Sequence, residues 1–224
     1  MSAMDLKSNK LVCVAPMMAW TDKHCRFLHR QYTPSALLFT EMVTTGALLY
    51  GNQTHLLDHD QCEHPVAIQL GGNDPAALAE CAAIAEERGF DEVNINVGCP
   101  SDRVQKGTFG ACLMREPELV ADCVKAMQAQ CSIPVTVTCR TGIQTKGDNN
   151  EFATMAFLQK FIGHIVDAGC ERIYLHARVA VLGGLSPAQN REIPPLTMDK
   201  AQNIKALHPD LELIVNGGIT ELEQ

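Results

Sequence analysis

EVNINVGCPSDRV, residues 92–104, alternates aliphatic and amide side chains and then turns through glycine, cysteine and proline into a polar stretch. Successive residues of a strand face opposite ways, so Val93, Ile95 and Val97 share one face and Asn94 and Asn96 the other. Aliphatics belong under helices. The amides then face the interior of a closed sheet. The same alternation sets Gln69 opposite Ile68 and Leu70, Thr138 and Arg140 opposite Val137, His176 opposite Leu175, and Asn216 opposite Val215.

Working outward, short aliphatic runs read as strands over 11–17, 36–40, 66–70, 92–97, 135–140, 172–176 and 211–216. Helical patterns separate several of them, at 75–88, 117–130 and 152–168, the last stopped by Gly169. Strand-then-helix wiring demands a parallel sheet. Seven strands in that rhythm predict a (β/α)8 TIM barrel cut off after its seventh strand, with an open doubly wound sheet as the competing arrangement. The polar interior residues sit near the C-terminal ends of their strands, the end where barrels of this kind keep their chemistry. One site at that mouth is expected.

Composition narrows the function classes. The chain has 224 residues, 46% of them hydrophobic and 20% charged, which suits a single domain with a full core. No apolar run approaches the roughly 18 residues of a membrane span, and the N-terminus lacks the apolar segment of a signal peptide, so a cytoplasmic protein is expected. Ten cysteines are scattered without a Cys-x-x-Cys pair or a zinc-like His/Cys cluster, which predicts reduced thiols and no metal. The net charge of −8 argues against a broad nucleic-acid-binding surface. Any such contact is expected to be local, or made by a part outside these residues.

Cys99 occupies the loop leaving the predicted mouth. Cysteine is usually a small buried hydrophobe, but here Gly98 and Pro100 stiffen the turn and Ser101, Asp102 and Arg103 follow as ligand-facing polar groups. No adjacent residue supplies the positive charge that would make a nucleophilic thiolate. A role as acid is easier. Thiols, with a reference pKa of roughly 8.5, stay protonated at neutral pH and can protonate a developing carbanion.

The segments APMMAWTD (15–22), TEMVTTGALL (40–49), PVAIQLGG (65–72), NVGCPSDRVQKGTFGACLM (96–114), HARVAVLGGLSPAQNREIPPL (176–196) and NGGI (216–219) resemble the tRNA-dihydrouridine synthases, most closely their bacterial A-type subfamily. The resemblance runs over nearly the whole chain. It implies one flavin-binding TIM-barrel domain over 1–224 that uses FMN, with NADPH as reductant, to convert uridine in tRNA to 5,6-dihydrouridine. By motif position Cys99 matches the catalytic cysteine. Pro16, Met17, Met18, Gln69, Arg140, His176, Asn216, Gly217 and Gly218 match the surroundings of the flavin, and Asn96, Arg103 and Arg178 fall on the substrate side. The family's last barrel strand and C-terminal helical tRNA-binding domain are expected to be absent from residues 1–224. Lys106 and Arg191 offer further charges for RNA, and a monomer is expected.

Several positions depart from the family pattern. PMMDWTD becomes PMMAWTD with Ala19; VKHRIG keeps Arg140 but carries Thr138, Cys139 and Thr141; after HAR the lysine is Val179 and the aromatic is Val181. Two other readings stand beside the synthase: a flavin barrel reducing a free pyrimidine, and a catalytically impaired scaffold of the same fold. Thr138 removes a positive charge expected to favour the reduced, anionic flavin. The purified chain is therefore expected to carry FMN substoichiometrically, and Thr138→Lys to raise its occupancy. Flavin absorbance against protein concentration measures this; full loading of the unaltered chain would contradict it.

Overall fold

The computed structural model describes residues 12–220 apart from Asn52, Lys146 and Asp148. Among the described residues the strands are β1 (Cys13–Val14), β2 (Leu37–Thr44), β3 (Val66–Gly71), β4 (Glu92–Val97), β5 (Val135–Arg140), β6 (Ile143–Thr145), β7 (Arg172–His176), β8 (Ala180–Leu182) and β9 (Glu212–Asn216). Seven of them form one all-parallel sheet in the order β1-β2-β3-β4-β5-β7-β9, so neighbours in space follow chain order without reversal. A doubly wound sheet would reverse direction at a switch point. The sheet also curls. Phe39 on β2 and Tyr174 on β7, with three strands between them, meet edge-on with ring centroids 5.1 Å apart. This is the curled sheet of a (β/α)8 barrel, with β1 and β9 as its free edges among the described residues.

Helices alternate with the strands: α1 (Lys23–Tyr32), α2 (Thr45–Leu49), α3 (Pro75–Glu87), α4 (Asp102–Lys106), α5 (Pro117–Gln128), α6 (Met155–Asp167), α7 (Gln189–Glu192) and α8 (Met198–Leu207). α3 starts where Asp74 accepts hydrogen bonds from the amides of Ala76 and Ala77, with Pro75 at its first position. α6 starts three residues later than the pattern predicted. Thr154 caps it by accepting from the Phe157 amide, which leaves Glu151–Ala153 as a separate 3-10 turn.

The expected strand at 11–17 is also shorter. Leu11 lies outside the described residues, and the ladder ends at Val14 because Pro16 has no amide to donate. The chain turns instead, the amides of Trp20 and Thr21 both bonding to the carbonyl of Met17. β2, in contrast, runs four residues past its expected end and carries a register shift between Phe39 and Met42. The small parallel sheet of β6 and β8 above the mouth was not anticipated.

The alternation seen in the sequence sorts the core in two. Ile68, Val93, Ile95, Val137, Ile173 and Leu175 pack outward against α3, α5 and α6, among them Leu78, Val124 and Phe161. A smaller inner cluster of Leu37, Phe39, Ala67 and Tyr174, flanked by Cys13 and Ile214, fills part of the barrel interior. Below it, at the N-terminal end of the strands, lies a buried ionic floor. Glu92 accepts from Arg172 Nη1 at 2.5 Å, from Thr136 at 2.7 Å and from the Tyr174 hydroxyl at 2.8 Å, while Arg172 Nε also reaches Glu212 at 2.8 Å.

The two carboxylates differ in environment. Glu92 is sealed, and Glu212 is partly open to solvent. Stranding a buried charge costs about 3–5 kcal/mol, whereas exposed pairs contribute about 0–1 kcal/mol. Arg172→Met is therefore expected to lose stability in the first range and Glu212→Gln in the second, as read by urea unfolding at neutral pH. Equal losses would show that the floor does not depend on Glu92.

Candidate active site

The mouth is assembled from the C-terminal ends of β3, β4, β5, β7 and β9. Residues in register there are Arg140, His176 and Asn216, on three neighbouring strands. Cys99 follows β4 and is half-buried. Its position is set by Asn96, whose Oδ1 accepts from the amides of Gly98 (3.2 Å) and Cys99 (2.9 Å). The far side of the loop closes on it: the Ala111 amide donates to the Cys99 carbonyl at 2.9 Å. Gly110 permits this approach. Its φ is +71°, and a Cβ there would lie 2.7 Å from the Cys99 carbonyl oxygen.

Asn96 is fixed in turn. Its Nδ2 donates to Gln69 Oε1 at 2.7 Å, and Gln69 Nε2 donates to Asn94 Oδ1 at 2.9 Å and, at 3.4 Å, to the Thr138 hydroxyl. Thr138 donates to Asn94, Asn94 to Thr136, and Thr136 to Glu92, at 2.7–2.8 Å each. A hydrogen-bonded column thus runs from the backbone of Cys99 through the barrel to its floor. Gln69 and Asn96, expected at the cofactor and the substrate respectively, have their amide groups committed to this column. They shape the site as fixed walls.

A second set of groups is cationic. Arg140 is 4% exposed, with Nε donating to the Gly98 carbonyl at 3.1 Å and Nη1 to the Asn190 carbonyl at 3.0 Å. Arg178 Nη1 donates to the carbonyls of Glu192 and Pro194, while its Nε is buried without a partner. His176 Nε2 is likewise buried and unpartnered. Burial first, then the charges of Arg140, Arg178 and Arg191, push the His176 imidazole down to about 3. Burial likewise lowers Arg140 to about 10. Among the described residues no ion pair neutralises these three arginines.

Two orphaned nitrogens and concentrated positive charge in a chain of net charge −8 call for an anion. Gly217 completes the cradle. At φ +103°, it brings backbone so close that a Cβ would lie 2.3 Å from His176 Cδ2. An anionic ligand with hydrogen-bond acceptors, such as a flavin mononucleotide, fits this donor set.

The expected residues do not all converge. Pro16 and Met17 are half-buried in the turn after β1, while Met18 is 54% exposed beside Trp20 at 72%. Between them Ala19 adopts a left-handed φ of 61°, its amide held by Glu41 Oε1 at 2.5 Å. Arg103 and Lys106 are exposed on α4, with no side-chain bond to the column among the described residues. Asn94 and Thr136 lie too deep for the mouth but transmit its geometry. Asn190 was missed, since it belongs to the one-turn helix α7, where neither period exposes it. No group of His, Cys, Asp or Glu suited to a metal occurs among the described residues, where all ten cysteines are free.

The dihydrouridine synthase family model matches residues 13–224. The chain belongs to the dihydrouridine synthase family. It is 56% identical over 210 residues to the tRNA-dihydrouridine(20/20a) synthase of Pseudomonas aeruginosa, covering 94% of this chain and 61% of that protein. The protein of the same name from Vibrio cholerae is 55% identical over 212 residues, covering 94% and 63%. In Pasteurella multocida it is 53% identical over 211 residues, covering 94% and 62%. The chain thus spans about three fifths of the length of these curated relatives. Family membership agrees with the fold.

The imidazole gives a pH prediction. An unfolded histidine binds its proton near 6.5, whereas His176 stays neutral in the folded chain down to about 3. Between those values the unfolded state holds the extra proton, so His176 makes stability fall as pH falls through that window. His176→Gln is expected to flatten the slope between pH 6.5 and 3, measured by denaturant unfolding at a series of pH values. An unchanged slope would contradict the placement of the ring.

Proposed function

We propose that the chain carries the catalytic core of an FMN-dependent tRNA-dihydrouridine synthase acting with NADPH. The observation that carries this reading is the half-buried Cys99 thiol, held by Asn96 at the rim of a cationic, hydrogen-bond-seeking pocket. His176, Arg140 and the Asn216-Gly217-Gly218 turn would hold the flavin, with Pro16, Met17 and Met18 along it. Bound there, FMN supplies the hydride equivalent that saturation of a pyrimidine 5,6 double bond requires.

The chain's own contribution is a positioned proton. Cys99 Sγ–H gives its proton to C5 of the uracil ring, a general-acid role suited to a thiol. Asn96 keeps the loop at a fixed reach from the mouth, which reduces the entropy lost when base and thiol meet. Arg178 and Arg103 are the charges on the RNA side. A uridine in folded RNA must leave its stack for its ring to meet the thiol. No helix among the described residues is long and apolar enough to cross a membrane. The proposed setting follows from the proposed substrate: tRNA, in the cytoplasm.

The test supplies the chain with FMN, NADPH and unmodified tRNA and searches the RNA for a gain of two hydrogens by mass spectrometry. Formation of dihydrouridine is expected, falling about 10²-fold or more in Cys99→Ala, the usual contribution of a general acid. Reduction of free uracil with no product in tRNA would overturn the reading in favour of a small-molecule flavin barrel.

A further inference from the structure

Asn190 has no exposed surface, although it lies in a short helix of a surface loop. Its side chain binds that loop to itself. Oδ1 accepts from the Val181 amide at 2.8 Å, and Nδ2 serves the carbonyls of Val181 (3.1 Å), Leu185 and Ser186 (3.3 Å each). Its backbone carbonyl accepts from Arg140 Nη1 at 3.0 Å, and the same guanidinium donates through Nε to the Gly98 carbonyl, one residue before Cys99. A planar fork thus bridges two loops that are about ninety residues apart in sequence, with a rigidity that a lysine would lack.

We propose that Asn190 is a positioning residue for Cys99, acting through Arg140. Among the described residues no ion pair anchors Arg140, so its buried guanidinium takes its position from two carbonyls, those of Gly98 and Asn190. The second is itself held in place by the Asn190 side-chain clasp. Loosening the clasp frees the Asn190 carbonyl, the guanidinium loses one of its two anchors, and the Cys99 loop, still held by Asn96 and Ala111, loses the tie that joins it to the 181–190 loop. The catalytic meaning of this coupling rests on the proposed reaction; the coupling itself does not.

The test substitutes Asn190→Ser and Asn190→Asp in the full chain and follows alkylation of each cysteine by iodoacetamide with mass spectrometry. Half-buried Cys131, after α5 and bonded to the Met127 carbonyl, is the internal reference. Cys99 alkylation is expected to rise about fivefold or more with Cys131 unchanged, and Arg140→Lys to give a similar rise. Because both act along one path, the double variant should exceed the larger single effect by little. In an active enzyme the same variants lower kcat while KM for tRNA is kept.

Native-state hydrogen exchange on the unaltered chain covers the case in which the variants do not fold. The Cys99 and Val181 amides, bonded to Asn96 and Asn190, should then open with one common free energy and denaturant dependence. Unchanged Cys99 alkylation beside faster exchange at 181–186, or separate opening of the two amides, would overturn the coupling. Absence of dihydrouridine formation by the unaltered chain would defeat the proposed reaction and leave the coupling standing.

Discussion

The hydrogen bond from Asn96 to Gln69, 2.7 Å long and shielded from water, is the contact on which the geometry of the mouth rests. A buried amide left without its partner loses about 1–3 kcal/mol, so each group in this column holds the next to one orientation. Gln69 determines which way the Asn96 amide is turned. That choice aims Oδ1 at the backbone of Gly98 and Cys99. The loop bearing the thiol is therefore set from inside the barrel, by residues that need never meet a ligand.

The column also explains why the interior is polar at all. An interior built wholly of apolar side chains, like those packed around the rings of Phe39 and Tyr174, would pack well but give the loops no orientation. Here the apolar plug and the polar column lie side by side, and the ion pair of Glu92 with Arg172 closes the bottom. Buried ionic groups are seldom a source of net stability. Their value in this fold is that the strands can pair in only one register, since a slip by one residue would carry Asn94 and Asn96 into the oily layer and Ile95 into the column.

Much of this architecture could be read from period-two alternation. Val93 to Val97 and the matching pairs on β3, β5, β7 and β9 gave both the inward and outward faces and the end of the barrel where the site lies. Cys99 was legible for the same reason, because the loop it occupies is dictated by the strand before it. The first strand falls short of its expected end at Met17 because Pro16 lacks the amide that would continue the ladder. Helix α6 began late because capping by Thr154 outweighed the apolar pattern before it. Asn190 and Glu41 escaped notice for a deeper reason: their importance comes from contacts between segments distant in sequence, and no local pattern records such contacts.

The column meets Cys99 at its amide nitrogen, and among the described residues no hydrogen bond reaches the sulfur. A thiol that surrendered its hydrogen during a reaction would have no internal wire to recharge it, however continuous the chain of amides beneath. Resupply must then arrive from bulk solvent across the rim. Access of solvent to that rim therefore sets how readily the sulfur regains its hydrogen.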